Sequence, residues 1–187
     1  MTKVSDILFP VSANRFCAFL RGVNVKGTNM KMAEVCSVFE KQGMENVSAV
    51  LASGNILFTC SKNADELKNI LENAMSAHFS YEAFLFLKDK VEIEAIFSGN
   101  PFETHPEFHI YGFVGIGGIE NTLMEEFEKS GKAEGEDARI VGTNFYWTVP
   151  KGSTLDSEFG KILGRKNLKN SFTSRNLNTF EKVLKKM

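Results

Sequence analysis

The stretch SGNILFT, residues 53–59, has a close counterpart in GTNFYWT, residues 142–148. Each places a glycine-containing turn and an asparagine before an apolar run that ends in threonine. Gly and Asn suit the tight turns of β-hairpins, and the apolar run favours a strand. We interpret each stretch as the turn and second strand of a hairpin. The likeness between the two indicates an internal duplication, with chance similarity of two α/β sandwiches as the alternative.

Patterns on either side of the first hairpin complete a βαββαβ unit. Asn63 and Glu66 form a capping-box-like helix start, and Gly43 is a natural helix end. The periodicities predict strands at 16–20, 47–51, 56–60 and 81–87, with helices from 32 to about 42 and from 64 to 78. Asp89 and Glu92 then cap a short connecting helix that runs to 96.

The same order of elements returns after Pro101 and Pro106. The sequence predicts strands at 108–114, 139–141 and 145–149, helices that end at Gly131 and Gly164, a weak strand near 171–173 and a terminal helix from about Asn176. We therefore predict an α+β fold (an α/β sandwich), built as a tandem duplication of two ferredoxin-like βαββαβ subdomains with a C-terminal helix. The predicted division is a tail over 1–13, a first subdomain with its connecting helix over 14–104, and a second subdomain over 105–187.

Charge and composition exclude several function classes. The 22 basic and 23 acidic residues give a net charge of −1, so no overall field attracts nucleic acid or an anionic membrane. No apolar stretch approaches the length of a membrane span, and the apolar run near the start is too short for a signal peptide. Three cysteines without CxxC spacing are typical of reduced thiols. We expect a cytoplasmic protein without membrane contact, and the sequence is silent on its oligomeric state.

No group of residues in the sequence names a reaction, a cofactor or a metal. His105 and His109 are four apart, but Pro106 breaks any helix that would align them as metal ligands. GFVGIGG, residues 112–118, lacks the third glycine of a dinucleotide-binding loop. YGFV, residues 111–114, resembles part of the RNA-recognition consensus but falls on a first strand rather than a third. Whether the protein is an enzyme is left open, and no metal or cofactor is expected.

Topology brings two polar loops to one edge of the first predicted sheet. In the ferredoxin-like strand order 4-1-3-2, the end of the first strand lies beside the turn between the second and third strands. The stretch FLRGVNVKGTNMKM, residues 19–32, would then lie beside SGN, residues 53–55. A helix start, glycines and a guanidinium together suit a phosphate or a carboxylate. We predict a small anionic ligand at this edge.

Four motifs in order resemble a known family. They are LRGVN-x2-G at 20–27 with a following KM at 31–32, SGN-x-x-F at 53–58, NPF at 100–102, and T-x-RN-x-x-T at 173–179. Together they resemble the bacterial family known only as domain of unknown function 1697, from residue 16 to the C-terminus. The resemblance implies two ferredoxin-like subdomains packed together, and it implies no reaction. The family often has a tryptophan after the closing RN, where this chain has Leu177.

The predicted ligand-binding set combines the edge with the last motif, whose segment we expect to fold over the edge. The residues are Arg21, Gly22, Asn24, Gly27, Ser53, Gly54, Asn55, Thr173, Arg175 and Asn176. Two alternatives stay open. A nucleic-acid-binding module could use a sheet face and the basic C-terminal segment, in which Lys161, Arg165 and Lys169 are prominent, although a solvated face explains that segment better. The motifs could instead be struts between the two subdomains.

Overall fold

The first sheet has a central strand that is buried on both faces. In the computed structural model, which describes residues 13–23 and 30–187, this strand is β1 (Asn14–Arg21). It pairs antiparallel with β3 (Asn55–Cys60) and with β4 (Phe84–Asp89), while β2 (Glu45–Ala49) lies outside β3. The order β2-β3-β1-β4 is the predicted ferredoxin-like order. Helices α1 (Met32–Lys41) and α2 (Ala64–Phe79) belong to this half, and α3 (Lys90–Ser98) follows it.

The second sheet repeats this order. Its strands are β5 (Phe108–Gly115), β6 (Asp137–Val141), β7 (Asn144–Pro150) and β8 (Phe172–Asn176), arranged β6-β7-β5-β8. Helices α4 (Ile119–Ser130) and α5 (Glu158–Leu163) belong to it, a 3₁₀ turn covers Lys166–Leu168, and α6 (Leu177–Leu184) ends the described fold. Two four-stranded antiparallel sheets with this connectivity confirm the predicted α+β duplication. The predicted weak last strand is a full partner of β5.

Helix starts follow the caps that the sequence predicts. The side chain of Asn63 accepts a hydrogen bond from the Glu66 backbone N–H at 2.9 Å at the start of α2. At the start of α3, Asp89 accepts from the Glu92 backbone at 2.8 Å, and the Glu92 carboxylate accepts from the Asp89 backbone at 3.0 Å. Such caps satisfy the backbone N–H groups that the first turn of a helix leaves without partners.

Apolar side chains form three layers. In β1, Phe16 and Leu20 face an outer cluster with α1 and α2, whereas Cys17 and Phe19 face a central cluster between the sheets. A second outer cluster lies between the second sheet and helices α4 and α5. Alternation along one strand therefore fills two layers, as the period of two requires.

The central layer joins the two halves through α3 and α6. The Phe19 ring of β1 lies 5.5 Å from the Phe180 ring of α6. The Tyr146 hydroxyl of β7 donates to the Ile96 carbonyl of α3 at 2.7 Å. Gly112 of β5 makes room for this packing, because a Cβ there would lie 2.9 Å from the Phe180 ring. The halves thus share a continuous core.

Some predicted boundaries shift. The strand predicted at 47–51 is observed at Glu45–Ala49, because Leu51 has φ of 63° and begins the turn. The strand predicted at 81–87 begins later, at Phe84. Residues 1–12 of the predicted tail lie outside the described residues. The subdomain boundaries stay predictions. Among the described helices, none has both the length and the apolarity to cross a bilayer.

Candidate functional site

The guanidinium of Arg175 crosses from the second sheet into the first half. Its Nε donates to the Asn55 side-chain oxygen at 2.6 Å. Its Nη2 donates to the backbone carbonyls of Leu20 at 2.6 Å, Ser53 at 3.0 Å and Gly54 at 3.3 Å. One side chain of β8 therefore binds the end of β1 and the turn between β2 and β3.

The remaining donors of Arg175 stay on its own strand. Nη1 donates to the Thr173 hydroxyl and to the Ser174 carbonyl, each at 2.8 Å. Among the described residues, every acceptor of this guanidinium is a neutral oxygen. Arg175 is only 8% exposed, and burial lowers its pKa to about 10. The group remains cationic at neutral pH, with its charge spread over amide and hydroxyl dipoles.

Two polar groups next to this guanidinium are also held in place. Asn55 is fully buried, and its Nδ2 donates to the Val50 carbonyl at 2.8 Å and to the Ser53 hydroxyl at 3.0 Å. Cys17 lies in the central cluster, where burial raises the pKa of its thiol and the charge of Arg175 opposes that shift. Cys17 is therefore a neutral, inert thiol in the folded protein.

Arg21 crosses between the halves in the opposite direction. It is the last residue of β1, and its Nη1 and Nη2 donate to the backbone carbonyls of Phe172 and Leu163, the latter at 2.7 Å. The guanidinium also lies 4.4 Å from the centre of the Phe172 ring, a cation–π geometry. Burial lowers the pKa of Arg21. Both arginines of the family-like motifs thus donate to backbone carbonyls of the other half.

The structure brings some of the predicted site residues together and separates others. Ser53, Gly54, Asn55, Thr173 and Arg175 form one hydrogen-bonded group, which with Arg21 we call the arginine clasp. Gly22 follows Arg21 with φ of 77°. Asn24 and Gly27 lie outside the described residues. Asn176 lies at a different place, described next. As ligand-binding residues, all ten stay a prediction.

Asn176, the last residue of β8, borders a cleft. The cleft has a volume of about 640 Å³ and lies where β5, the end of β8 and the start of α6 meet. We call it the histidine cleft and define it by six of its lining residues, which are His105, His109, Tyr111, Lys151, Asn176 and Lys182. Leu177 and Ile110 contribute apolar surface. Among the described residues that line it, there is no aspartate or glutamate.

Asn176 connects the cleft to the helix behind it. Its Nδ2 lies 3.0 Å from the Nδ1 of His109, which accepts this hydrogen bond as the neutral imidazole. Its Oδ1 accepts from the Asn178 backbone N–H at 3.1 Å and so caps α6. The hydroxyl of Tyr111 lies 3.3 Å from the Thr154 hydroxyl at the cleft wall. Several side chains that face the cleft are therefore fixed by neighbours.

The sequence patterns do not single out His109 or the two lysines of this cleft, Lys151 and Lys182. Pro106 excludes a helical pair of metal ligands at His105 and His109, and their spacing alone does not indicate a β-sheet pairing. The predicted strand order itself contained the signal, since the fourth strand of the second half must lie beside the first. In the structure Tyr111 is paired with Asn176, which places His109 close to it.

The basic C-terminal segment is largely paired with carboxylates. Lys161 lies 2.5 Å from Glu158, Arg165 lies 2.9 Å from Glu126, and Lys169 pairs with Glu82 of the first half. These side chains are mostly exposed, as expected for a solvated face. Within the described residues, the central layer and the helices pack against both faces of the sheets, and the nucleic-acid alternative stays a prediction. No group of three potential metal ligands occurs within residues 13–23 and 30–187.

The fold and the contacts of the two arginines define a class of α+β protein in which two ferredoxin-like halves are packed together. The comparisons with known proteins define the family. The family model described as "Protein of unknown function (DUF1697)" matches residues 13–146, and the chain belongs to that family. No curated protein matches the sequence.

A solved structure supports the architecture. The chain is similar to the conserved bacterial protein SP0830 from Streptococcus pneumoniae, with 21% identity and a TM-score of 0.74 over 94% of this chain and 98% of the other. An unknown protein from Galdieria sulphuraria is 11% identical, with a TM-score of 0.28 over 88% of this chain and 98% of the other. The first similarity supports the fold of the whole chain.

Proposed function

We propose that the protein binds a small anionic ligand, with a phosphate or carboxylate group, in the histidine cleft. The observation that carries the proposal is the charge of the cleft lining. Lys151 and Lys182 contribute two cations, His105 and His109 contribute two imidazoles, and the described lining has no carboxylate. Several other exposed cations in the described part of the chain pair with glutamates, among them Lys129, Lys161, Arg165 and Lys185. A cation pair without local counter-charges attracts an anion.

The size and composition of the cleft also suit a small ligand. A volume of about 640 Å³ falls within the usual range of small-molecule sites. Ile110 and Leu177 would contact an apolar part of the ligand, while the amide of Asn176 and the hydroxyl of Thr179 would bind polar atoms. An anion with a small organic body fits this lining better than an inorganic ion alone.

The proposal moves the predicted anion site away from the edge of the first sheet. At that edge, the guanidinium groups of Arg21 and Arg175 donate hydrogen bonds to backbone carbonyls of the other half. We propose that these arginines act as struts between the halves. Asn176 would be the predicted residue that contacts the ligand, and the clasp would hold β8 so that Asn176 and His109 stay aligned.

Titration with inorganic phosphate and with pyrophosphate, followed by amide NMR at low ionic strength, tests the proposal. We expect shifts at His109, Asn176 and Asn178. Lys151→Ala and Lys182→Ala should each weaken binding roughly tenfold, the low end of what a charge-assisted hydrogen bond contributes. Lys129→Ala, which removes an exposed lysine of α4 outside the cleft, is the control.

A variant without the two imidazoles gives a second readout of the same proposal. Phosphate should bind more weakly to His105→Ala/His109→Ala than to the parent, because the ring N–H groups that can donate to the anion are lost. Unchanged affinity in the double variant Lys151→Ala/Lys182→Ala, or shifts that lie away from the cleft, would reject the site.

A further inference from the structure

The strand registers of the two sheets give a residue-by-residue correspondence between the halves. The repeat of SGNILFT in GTNFYWT matches Asn55 with Asn144, and therefore Leu57 with Tyr146. Leu57 pairs with Cys17 on β1, and Tyr146 pairs with Gly112 on β5. Cys17 and Gly112 therefore occupy equivalent positions in the two central strands.

The correspondence extends to the edge strands β4 and β8. Cys17 pairs with Lys88 on β4, and Gly112 pairs with Arg175 on β8. Lys88 is therefore the counterpart of Arg175. Both are cationic. Lys88 follows Phe86 of the central cluster by two positions and Arg175 follows the buried Thr173 by two, so each lies on the inner face of its sheet.

Arg175 fills a place in the first half whose equivalent in the second half is a cavity beside Lys88. Arg175 contacts Leu20, Gly54 and Asn55 of the first half. The counterparts of these three residues are Gly115, Thr143 and Asn144. Together with Lys88, these counterparts line a cavity of about 210 Å³. The two halves thus have equivalent places between them, one filled by Arg175 and the other bordered by Lys88.

The two halves differ in how far their central strands pair at these equivalent places. Pairing of β1 with β3 continues to Phe19 and Asn55. Pairing of β5 with β7 ends at Gly112 and Tyr146, two residue pairs short of the equivalent point. The ends of β5 and β7 are therefore further apart where the cavity lies. The ammonium of Lys88 donates to Glu92 at 2.7 Å.

The lining of this cavity has the chemistry that receives a guanidinium in the first half. Asn144 is the counterpart of Asn55, the amide that accepts from Arg175 Nε at 2.6 Å. The backbone of Gly115 and Thr143 corresponds to the carbonyls that accept from its Nη2. Glu120 also lines the cavity, and Glu92 neutralises Lys88, so the surroundings do not repel a cation.

We propose that this cavity binds a small ligand that carries a guanidinium or amidinium group, seated as the guanidinium of Arg175 is seated in the first half. The planar group would donate to the Asn144 side chain and to backbone carbonyls at the ends of β5 and β7. The proposal is independent of the histidine cleft, which lies at the opposite end of β5.

Methylguanidine is the probe, and methylurea is its neutral counterpart of nearly the same shape. Amide NMR of the full chain should show saturable shifts for Gly115–Gly118 and Asn144 with methylguanidine and at least tenfold weaker binding of methylurea. Lys88→Arg should abolish these shifts and raise the melting temperature, because the new side chain fills the cavity as Arg175 fills its own. Lys90→Arg, an exposed exchange on α3, should bind methylguanidine like the parent.

Arg175→Ala provides a positive control within the same molecule. It creates the equivalent space in the first half, and methylguanidine at millimolar concentration should raise its melting temperature. The proposal is overturned if the parent shows no saturable shift at Asn144, if methylurea binds equally well, or if Lys88→Arg binds like the parent. The NMR shifts and the melting temperature of Lys88→Arg test the proposal even where Arg175→Ala does not fold.

Discussion

Replacing Arg175 with alanine should lower the free energy of unfolding by about 3–5 kcal/mol. Four of its hydrogen bonds reach the first half, at 2.6 to 3.3 Å. The alanine variant leaves these neutral oxygens without the guanidinium, and a buried acceptor without a donor costs roughly 1–3 kcal/mol. Removing the buried charge, whose desolvation lowers the pKa to about 10, offsets part of this loss, so two or three such acceptors give the net value.

The loss should come mainly from acceptors left without a donor. Asn55 is fully buried, and the alanine variant leaves its side-chain oxygen and the Leu20 carbonyl without the guanidinium. For a protein of this size, about 3–5 kcal/mol corresponds to a fall in melting temperature of roughly 6–20 °C. Urea denaturation followed by circular dichroism measures the free energy directly.

Two further variants make the measurement specific. Arg139→Ala removes an exposed arginine whose one ion pair, with Asp137, spans 3.3 Å, and should change stability by less than about 1 kcal/mol. Arg175→Lys keeps the charge but not the planar fork of donors, and should lose an intermediate amount. If Arg175→Ala were as stable as Arg139→Ala, the clasp would not hold the halves together and this reasoning would fail.

Two further predictions concern the central layer. Cys17 should resist Ellman's reagent in the native state and react only at the rate of unfolding, because burial raises the pKa of its thiol; a Cys36→Ser/Cys60→Ser protein that labels at once would contradict this. The Tyr146 hydroxyl donates to Ile96, and burial raises its pKa to about 12, above the ordinary value of 10. The stability that the protonated Tyr146 hydroxyl contributes is therefore present in full below about pH 10 and is lost as the pH rises through about 12. Tyr146→Phe should be less stable at neutral pH by about 1 kcal/mol, and urea midpoints should fall less steeply with alkaline pH than in the parent.

Local patterns predicted much of this fold because each element obeys its own rules. Caps at Asn63 and Asp89 fixed two helix starts, and the order βαββαβ predicted which strands are neighbours. The same order predicted that the first strand ends beside the SGN turn. In the structure the Leu20 backbone N–H donates to the Gly54 carbonyl at 2.8 Å.

The contacts of the arginines could not be predicted in the same way. Arg175 lies 120 residues from Asn55, and its other acceptors in the first half are backbone carbonyls. A carbonyl is present at every residue, so it leaves no signature in the sequence. The predicted ligand site assumed a guanidinium with free donors, and only the packing of the two halves shows where those donors go.

The predicted boundaries of β2 differ from the observed ones for a local reason. Residues 47–51 have the apolar character of a strand, but Asn46 and Leu51 both adopt positive φ, at 51° and 63°. Such values are uncommon outside glycine and depend on the surrounding structure. The register of β2 against β3 shifts between Glu45 and Ser48, which places the strand earlier than its apolar pattern indicates.

The neutral partners of Arg175 make its part of the joint insensitive to acid. A buried arginine paired with a carboxylate loses its partner's charge when the carboxylate takes up a proton. Amide and hydroxyl oxygens do not take up protons in the same range, so this guanidinium keeps all of its described acceptors well below neutral pH. The arginine therefore continues to hold the two halves together as a solution is acidified.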